Sequence, residues 1–377
     1  MSVPTVDLNS PAVCRSSERA ALVSVRIVEF SPEWMREWAV LEARLRSPFL
    51  ACSHDWTRIW LDHYGDLVPQ RLAVATHANT IVGMCLITNG VRQYEGPFEI
   101  QTLHIGTAGE PESDSVCVEY NHLLVAPEFL SQFVQQLRQL VAEQKECECL
   151  VVDGMAAEES REFLRAEPPT NIEVRPSHYC DLNLIRGAQS EPWRLFGEST
   201  QSNLRRSLRD LGELQIDWAD ESDLALAFYD EMIGYHQSRW QAAGKPGAFS
   251  SDRFRGFHRD LIASFVPQQR AVLVRVRQGS AVLGILYLLI EQNRLLYYQA
   301  GLPDHRSKLS LGTVTQYMTM LEGASRSYDA FDFMAGDAQY KRVLSTHQNS
   351  VHWIQWRRPS LKSRLLAGLR SLRRSSK

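Results

Sequence analysis

The sequence lacks a long apolar run. Its longest, AVLGILYLLI at residues 281–290, is about half of what a bilayer-spanning helix needs, so it reads as a buried strand. The opening stretch MSVPTVDLNSPAVCRSSERA has no cationic start followed by an apolar core. It does not read as a secretory signal, and residues 1–22 read as a disordered lead-in. The seven cysteines are scattered at 14, 52, 85, 117, 147, 149 and 180, with no pair of CxxC motifs. That argues against a zinc site and leaves Cys147 and Cys149 as packing residues. Reduced thiols and a cytoplasmic setting are the expectation. HExxH, GxSxG, P-loop and dinucleotide fingerprints are all missing. Metallohydrolase, serine hydrolase, ATPase and dehydrogenase chemistry are therefore disfavoured, and no metal is expected.

The net charge of −3 hides an asymmetry. Residues 357–377, RRPSLKSRLLAGLRSLRRSSK, hold eight Lys or Arg and no acid, leaving 33 basic against 44 acidic residues elsewhere. So acidic a body repels phosphates except at local patches, which argues against DNA as a partner. In the tail, residues 358–377, Leu361, Leu365, Leu369 and Leu372 form an apolar stripe flanked by arginines. That pattern suits weak peripheral contact with anionic lipid at the inner face of a membrane; a partner-docking helix and a solubilising tail are the alternatives.

At 377 residues, the chain is long enough for more than one domain. The segment RLAVATHANTIVGMCLIT, residues 71–88, returns without a gap 201 residues later as VLVRVRQGSAVLGILYLL, residues 272–289. Leu72 falls on Leu273, Val82 on Leu283 and Gly83 on Gly284. Both read as strand–turn–strand hairpins. Around each hairpin the same order recurs: helices, hairpin, strand, helix, strand, strand. In the first half, helices are expected at SPEWMREW (capped by Ser31), at SHDWTRIWLDHYG (capped by Ser53) and at 126–144. Strands are expected at CVEYNHLLV and CLVVDGM. In the second half, LSLGTVTQYMTMLEGASRS reads as a helix between the strands RLLYYQAG and AFDFMAG. A duplicated α/β unit follows, with one domain over 23–188 and another over 189–357.

That element order matches the GNAT acyltransferase fold. The phrases SRWQAAGKPGAFSSDRFRGFHRDLI, LYYQAGLPDHRSKLSLGT and FDFMAGDAQYKR resemble the double-GNAT proteins of the CelD/BioF-like acetyltransferase group, relatives of the Fem peptidoglycan aminoacyltransferases. SPFLACSHDWTRIWLDHYGD in the first half is similar to that group's opening. The resemblance runs from about residue 25 to 357. It implies two tandem GNAT-like domains, each a mixed β-sheet flanked by helices. It further implies transfer of an acyl group from acetyl-CoA or another acyl-CoA to an amine or hydroxyl. The acceptor would be a small molecule or an envelope or polysaccharide precursor. Two alternatives stay open: a Fem-like aminoacyltransferase using aminoacyl-tRNA, and a non-catalytic envelope-assembly protein that keeps the fold.

Acyl transfer needs a donor-phosphate site, an oxyanion partner, a base and an acceptor pocket. Backbone N–H groups at a strand-to-helix junction suit the phosphates. The matching segment is GLPDHRSKLSLGT, with Gly301, His305, Arg306, Lys308, Ser310, Leu311, Gly312 and Thr313. It departs from the Q/R-x-x-G-x-G/A fingerprint of the superfamily, so a solvated basic loop is the other reading. YNHLLVAPEF at the same point of the first half has no glycine, which assigns the donor to the second domain. In FDFMAGDAQYKR, Asp332 lies on the opposite sheet face from Phe331 and Phe333. The Fem resemblance gives Lys341 the oxyanion or donor-binding role. Asp337 or Asp332 is the candidate base and Tyr340 the candidate acid for the leaving thiolate; the alternative is that Tyr340 packs and Lys341 pairs with an acid. Tyr297 and Gln299 share a strand face. With His236, Arg239, Trp240 and Lys245 they are the acceptor-side candidates; a packed helix end is the alternative for the last four. Tyr120, Asn121 and His122 are acceptor-side candidates from the first half.

Overall fold

A computed structural model describes residues 23–95, 97–144, 147–188, 190–303 and 310–359. The first half runs β1 (Ser24–Glu29), α1 (Trp34–Leu45), α2 (His54–Tyr64), β2 (Gln70–His77), β3 (Thr80–Asn89), β4 (Gln93–Glu95), β5 (Phe98–Ile100), β6 (Thr102–Ile105), β7 (Leu124–Val125), α3 (Leu130–Glu143), β8 (Cys149–Ala156), α4 (Arg161–Ala166), β9 (Asn171–Asp181) and α5 (Leu182–Gly187). The second runs α6 (Glu198–Leu211), β10 (Gln215–Ala219), α7 (Ser222–Ala242), α8 (Asp252–Phe265), β11 (Ala271–Gln278), β12 (Ala281–Glu291), β13 (Arg294–Gly301), α9 (Leu311–Ser325), β14 (Ala330–Ala335), α10 (Gln339–Val343) and β15 (His347–Arg357). No described helix is long and apolar enough to cross a membrane.

The repeated hairpins are real, and they share a defect. In β2/β3, Ala75 faces Gly83 and then Thr76 faces Ile81, one residue being skipped. In β11/β12, Val276 faces Gly284 and then Arg277 faces Val282. Both glycines sit where another element presses on the bulge. A Cβ on Gly83 would lie 2.9 Å from Val125, and one on Gly284 would lie 2.7 Å from Leu302. The bulge and its glycine are thus one device used twice.

One sheet runs through both halves, in the order β1-β2-β3-β6-β8-β15-β9-β14-β13-β12-β11-β10. The order is symmetric about the β15/β9 pair. Each half contributes five strands outward from that centre and lends its last strand to the other: β9 pairs with β14, and β15 pairs with β8. The boundary at 188/189 follows α5 directly, and each exchanged strand lies against a strand of the other half. Between the halves, α1 and α2 pack with α7 and α8 in a shared core of Trp56, Trp60, Tyr64, Tyr229, Phe257 and Phe265. At the rim of this interface, Arg253 makes a two-pronged contact with Asp66, at 2.7 Å for each bond.

Local chemistry explains most of the helices. Ser53 caps α2 by accepting the Trp56 N–H, leaving Trp56, Ile59, Trp60 and Tyr64 on the inward face. Ser31 does not cap α1. Pro32 and Glu33 form a turn first, so only the Ser31 carbonyl engages, accepting the Trp34 N–H at 3.0 Å, and Glu33 takes the cap position.

The largest departure from expectation is CVEYNHLLV, which is not one strand. The strand paired with β3 is broken in two. β6 covers Ile87 to Asn89 of β3, and β7 covers Gly83 and Met84. Residues 106–120 leave the sheet between them, with Gly106, Gly109, Cys117 and Tyr120 all at positive φ. Those turns take CVEY out of strand geometry.

Candidate active site

The excursion decides where a transfer site can be. In the second half, β13 and β14 run parallel and pair only from Arg294↔Ala330 to Leu296↔Asp332. Beyond that they part, while their outer edges stay held: β13 by β12 as far as Gly301, and β14 by β9 as far as Ala335. β13 also bulges at Tyr298, because Tyr287 faces Gln299 and Leu288 faces Tyr297. Two strands pulled apart inside a sheet leave main-chain groups that the facing strand no longer satisfies. The first half begins the same way. β6 pairs with β8 from Thr102↔Cys149 to Ile105↔Val152. There, however, Asn121 bridges Met155, its N–H donates to the Gly154 carbonyl at 2.9 Å, and its amide donates to the Ile105 carbonyl at 2.9 Å. The chain itself fills the first gap.

The same excursion lies across the second gap. The Tyr298 hydroxyl on β13 donates to the Val116 carbonyl at 2.6 Å. Glu119 accepts the Ala335 N–H of β14 at 2.6 Å. The Tyr120 hydroxyl donates to Asp332 at 2.7 Å and lies 2.8 Å from the Ser177 hydroxyl. Asp332, fully buried, also accepts from Ser177 at 2.9 Å and from the Met334 N–H at 2.7 Å, and pairs with Arg294. Met334 holds φ +60° at this point, where β14 stops following β9 residue by residue.

Electrostatics single out two carboxyls. Burial pushes Glu119 up to about 7, against the pull of the Ala335 N–H and the Lys341 charge. Burial likewise raises Glu291 to about 7; it accepts the Leu50 N–H at 2.7 Å. Each half therefore sends one glutamate to a backbone N–H of the other. Glu291 lines a cleft of about 570 Å³ between the halves, together with Phe49, Tyr120, His122, Arg294 and Asn349. His122 stacks on Phe49 with ring centres 3.5 Å apart and pairs with Glu159 at 3.0 Å. The volume falls within the range of small-molecule sites, about 300–1,000 Å³.

The sequence candidates divide. Lys341 stands at the gap, its Nζ donating to the Ala335 carbonyl at 2.6 Å and to the Met334 carbonyl at 3.2 Å; burial lowers its pKa. Tyr340 packs on Tyr297 and Phe333 on the opposite face, and burial raises its hydroxyl pKa. Arg239 lies within electrostatic reach of both Tyr297 and Tyr340. Gln299 lies in the parted stretch of β13.

Other candidates need correction. Asp332 is not a free base, because its oxygens are taken up by four partners. Asp337 is exposed and tied to Arg342 at 2.8 Å and His178 at 3.2 Å. His236 accepts from the Trp240 indole at 2.9 Å and packs on Phe249, and Lys245 lies over the Trp240 ring. These three form a packed helix end. Gly301 serves the close approach of α7, since a Cβ there would lie 2.5 Å from the Met232 carbonyl oxygen. Ser310 precedes α9 without a side-chain cap, Leu311 packs into the second-half core, and Gly312 approaches Leu302. Thr313 lies in the first turn of α9, half-buried. His305, Arg306 and Lys308 lie outside the described residues, as do the lead-in 1–22 and residues 360–377 of the basic tail. Glu119 went unread. Its signal was a lone acid inside an apolar stretch, which by sequence alone looks like an exposed strand residue.

Residues 198–342 match the family model described as an acetyltransferase (GNAT) domain. The match to a GNAT acetyltransferase domain thus lies within the second half of the chain. The tandem arrangement is shared with solved structures at the level of fold. FemX matches with 9% identity over 87% of this chain and 97% of its own, at TM-score 0.53. The C-terminal domain of a lysylphosphatidylglycerol synthetase from Agrobacterium fabrum matches with 8% identity over 89% and 95%, at 0.53. L-PGS from Bacillus licheniformis matches with 9% identity over 90% and 96%, at 0.50. No curated protein matches the sequence.

Proposed function

We propose that this GNAT acyltransferase takes its acyl group from acetyl-CoA or another acyl-CoA. The group passes to an amine or hydroxyl of a small-molecule or envelope-precursor acceptor. One observation carries the reading: β13 and β14 part from each other while held on their outer edges, whereas the matching gap of the first half is filled by Asn121 and its neighbours. A slender thioester arm fits between parted strands, whose main-chain groups no longer bond to each other. The N-terminus of α9 follows β13 and favours the donor's phosphates. Lys341 supplies positive charge beside the gap, where charge develops on the acyl oxygen. Tyr340, on the opposite face, is the proton donor for the leaving sulfur. The acceptor enters from the 570 Å³ cleft between the halves, whose lining residue Tyr120 bonds Asp332 where the β13/β14 pairing ends.

Calorimetry with acetyl-CoA tests the donor. Binding that weakens in Lys341→Ala and in a variant altered across 305–308 supports a second-half donor site. Absence of binding to acetyl-CoA and longer acyl-CoAs removes this reading and turns attention to aminoacyl-tRNA, the donor implied by the Fem resemblance, or to a fold retained without transfer.

A further inference from the structure

We propose that the base for the transfer is Glu119, a residue of the first half that reaches into the transfer site of the second. This rests on the acyltransferase reading above.

Position comes first. The Gly336 N–H turns toward β9, donating to the Pro176 carbonyl at 2.8 Å. Successive N–H groups of an extended strand point opposite ways, so the Ala335 N–H turns toward the side that β13 has left. Glu119 meets it there, at 2.6 Å. Three residues earlier, the Val116 carbonyl accepts from Tyr298 on the other parting strand. The segment Val116–Tyr120 therefore straddles the gap, with Tyr120 at its end lining the cleft, and Glu119 is its carboxylate. Lys341, whose Nζ caps the Met334 and Ala335 carbonyls, lies beside it. The other acids near the gap are engaged elsewhere: Asp332 by Tyr120, Ser177, Arg294 and Met334, and Asp337 by Arg342 and His178.

Chemistry comes second. A carboxyl ionising near 7 suits proton removal at neutral pH, since catalytic pKa values work best near the operating pH. In the step proposed, the acceptor N–H or O–H gives its proton to the Glu119 carboxylate as its N or O bonds to the thioester carbon. The C–S bond then breaks with its electron pair leaving on sulfur. The proton held by Glu119 balances the one taken up by the thiolate, so the products are the acylated acceptor and the free thiol. The location also explains the excursion. The segment that seals the first half's gap is the one that equips the second half's, so the two halves make one site.

The test uses the full chain, acetyl-CoA, and two probe nucleophiles read by thiol release. Ethanolamine is protonated at neutral pH and depends strongly on an enzyme base; hydroxylamine is largely neutral, and its weakly basic nitrogen can give up its proton to water after attack, so it depends little on one. Glu119→Gln keeps an oxygen for the Ala335 N–H, so the fold is preserved. The expected result is a fall of about 100-fold or more in kcat with ethanolamine. The KM for acetyl-CoA should hold, the hydroxylamine rate should change by less than about threefold, and the rise in rate through about pH 7 should disappear. Partial rescue of Glu119→Ala by formate should accompany it. If the variant keeps the wild-type rate and pH profile, Glu119 is not the base, while the acyltransferase reading stands. Equal losses with both probes assign it a structural role and also overturn the proposal. If the wild type binds no acetyl-CoA, or binds it and releases no thiol with either probe, the acyltransferase reading fails and takes this one with it.

Discussion

Replacing Glu291 with Gln should make the protein more stable at pH 8 and leave it nearly unchanged at pH 4.5. Glu291 is only 8% exposed and keeps one fixed partner, the Leu50 N–H at 2.7 Å. Burial lifts its carboxyl from 4.5 to about 7, with His122, Arg294 and Arg270 pulling the other way. The raised value sets the sign. The folded state holds the proton more tightly than the unfolded chain, so the stabilisation is complete below about 4.5 and is lost as pH rises through about 7. At about 1.4 kcal/mol per pH unit, ionising this buried carboxyl costs about 3 kcal/mol. Gln keeps an oxygen for Leu50 and never ionises. Urea unfolding of both proteins at pH 4.5, 6 and 8 gives the comparison. The difference between variant and wild type cancels groups that act the opposite way, such as Asp55, held at about 2 by hydrogen bonds from Gln268, His54 and Ser264. A difference growing by about 3 kcal/mol toward pH 8 is expected. A difference that does not change with pH refutes the account of Glu291 as a desolvated carboxyl.

Other outcomes follow from the same contacts. Asp332→Ala leaves Arg294 without its buried partner and removes the acceptor of Tyr120, Ser177 and the Met334 N–H; a loss of about 3–5 kcal/mol is expected in denaturant titrations. Tyr120→Phe removes one hydrogen bond to that carboxylate and should cost about 1–3 kcal/mol. Lys341→Ala should abolish acyl transfer while the far-UV circular dichroism and unfolding midpoint stay near wild type. Full activity would remove its assignment. Deleting residues 358–377 should end flotation with liposomes containing anionic lipid, and unchanged flotation would end the membrane proposal for the tail.

The sequence was most readable where structure is local. Ser53 and the apolar face behind it mark α2, and the hairpins show through because period-two apolar residues and a glycine recur at fixed spacing. The parallel strand order was within reach because the order of elements repeats. What stayed hidden depends on partners distant in sequence. β9 and β15 look like the closing strands of their own halves, and nothing in their residues says that each lies beside the other half's sheet. CVEYNHLLV looks like a strand because its apolar residues suit one; the positive φ of Cys117 and Tyr120 is set by contacts with β8, β13 and β14. Lys341 and Tyr340 were singled out from a family phrase, and the structure sets Lys341 beside the gap and Tyr340 against Tyr297 and Phe333. Asp332 was legible as a buried acid and misread as a base, since three of its four partners come from three other segments of the chain. Glu119 was invisible because its role exists only once the first half meets the second.

We propose that the second half's gap, and not the first's, receives the donor. Hydrogen exchange of the full chain with and without acetyl-CoA, read by mass spectrometry, tests it most directly. The account predicts slowed exchange in peptides covering 297–301, 311–316 and 333–336, with 102–105 and 149–156 unchanged. Protection confined to the first-half peptides would contradict it, and so would binding with no protection along β13 and β14.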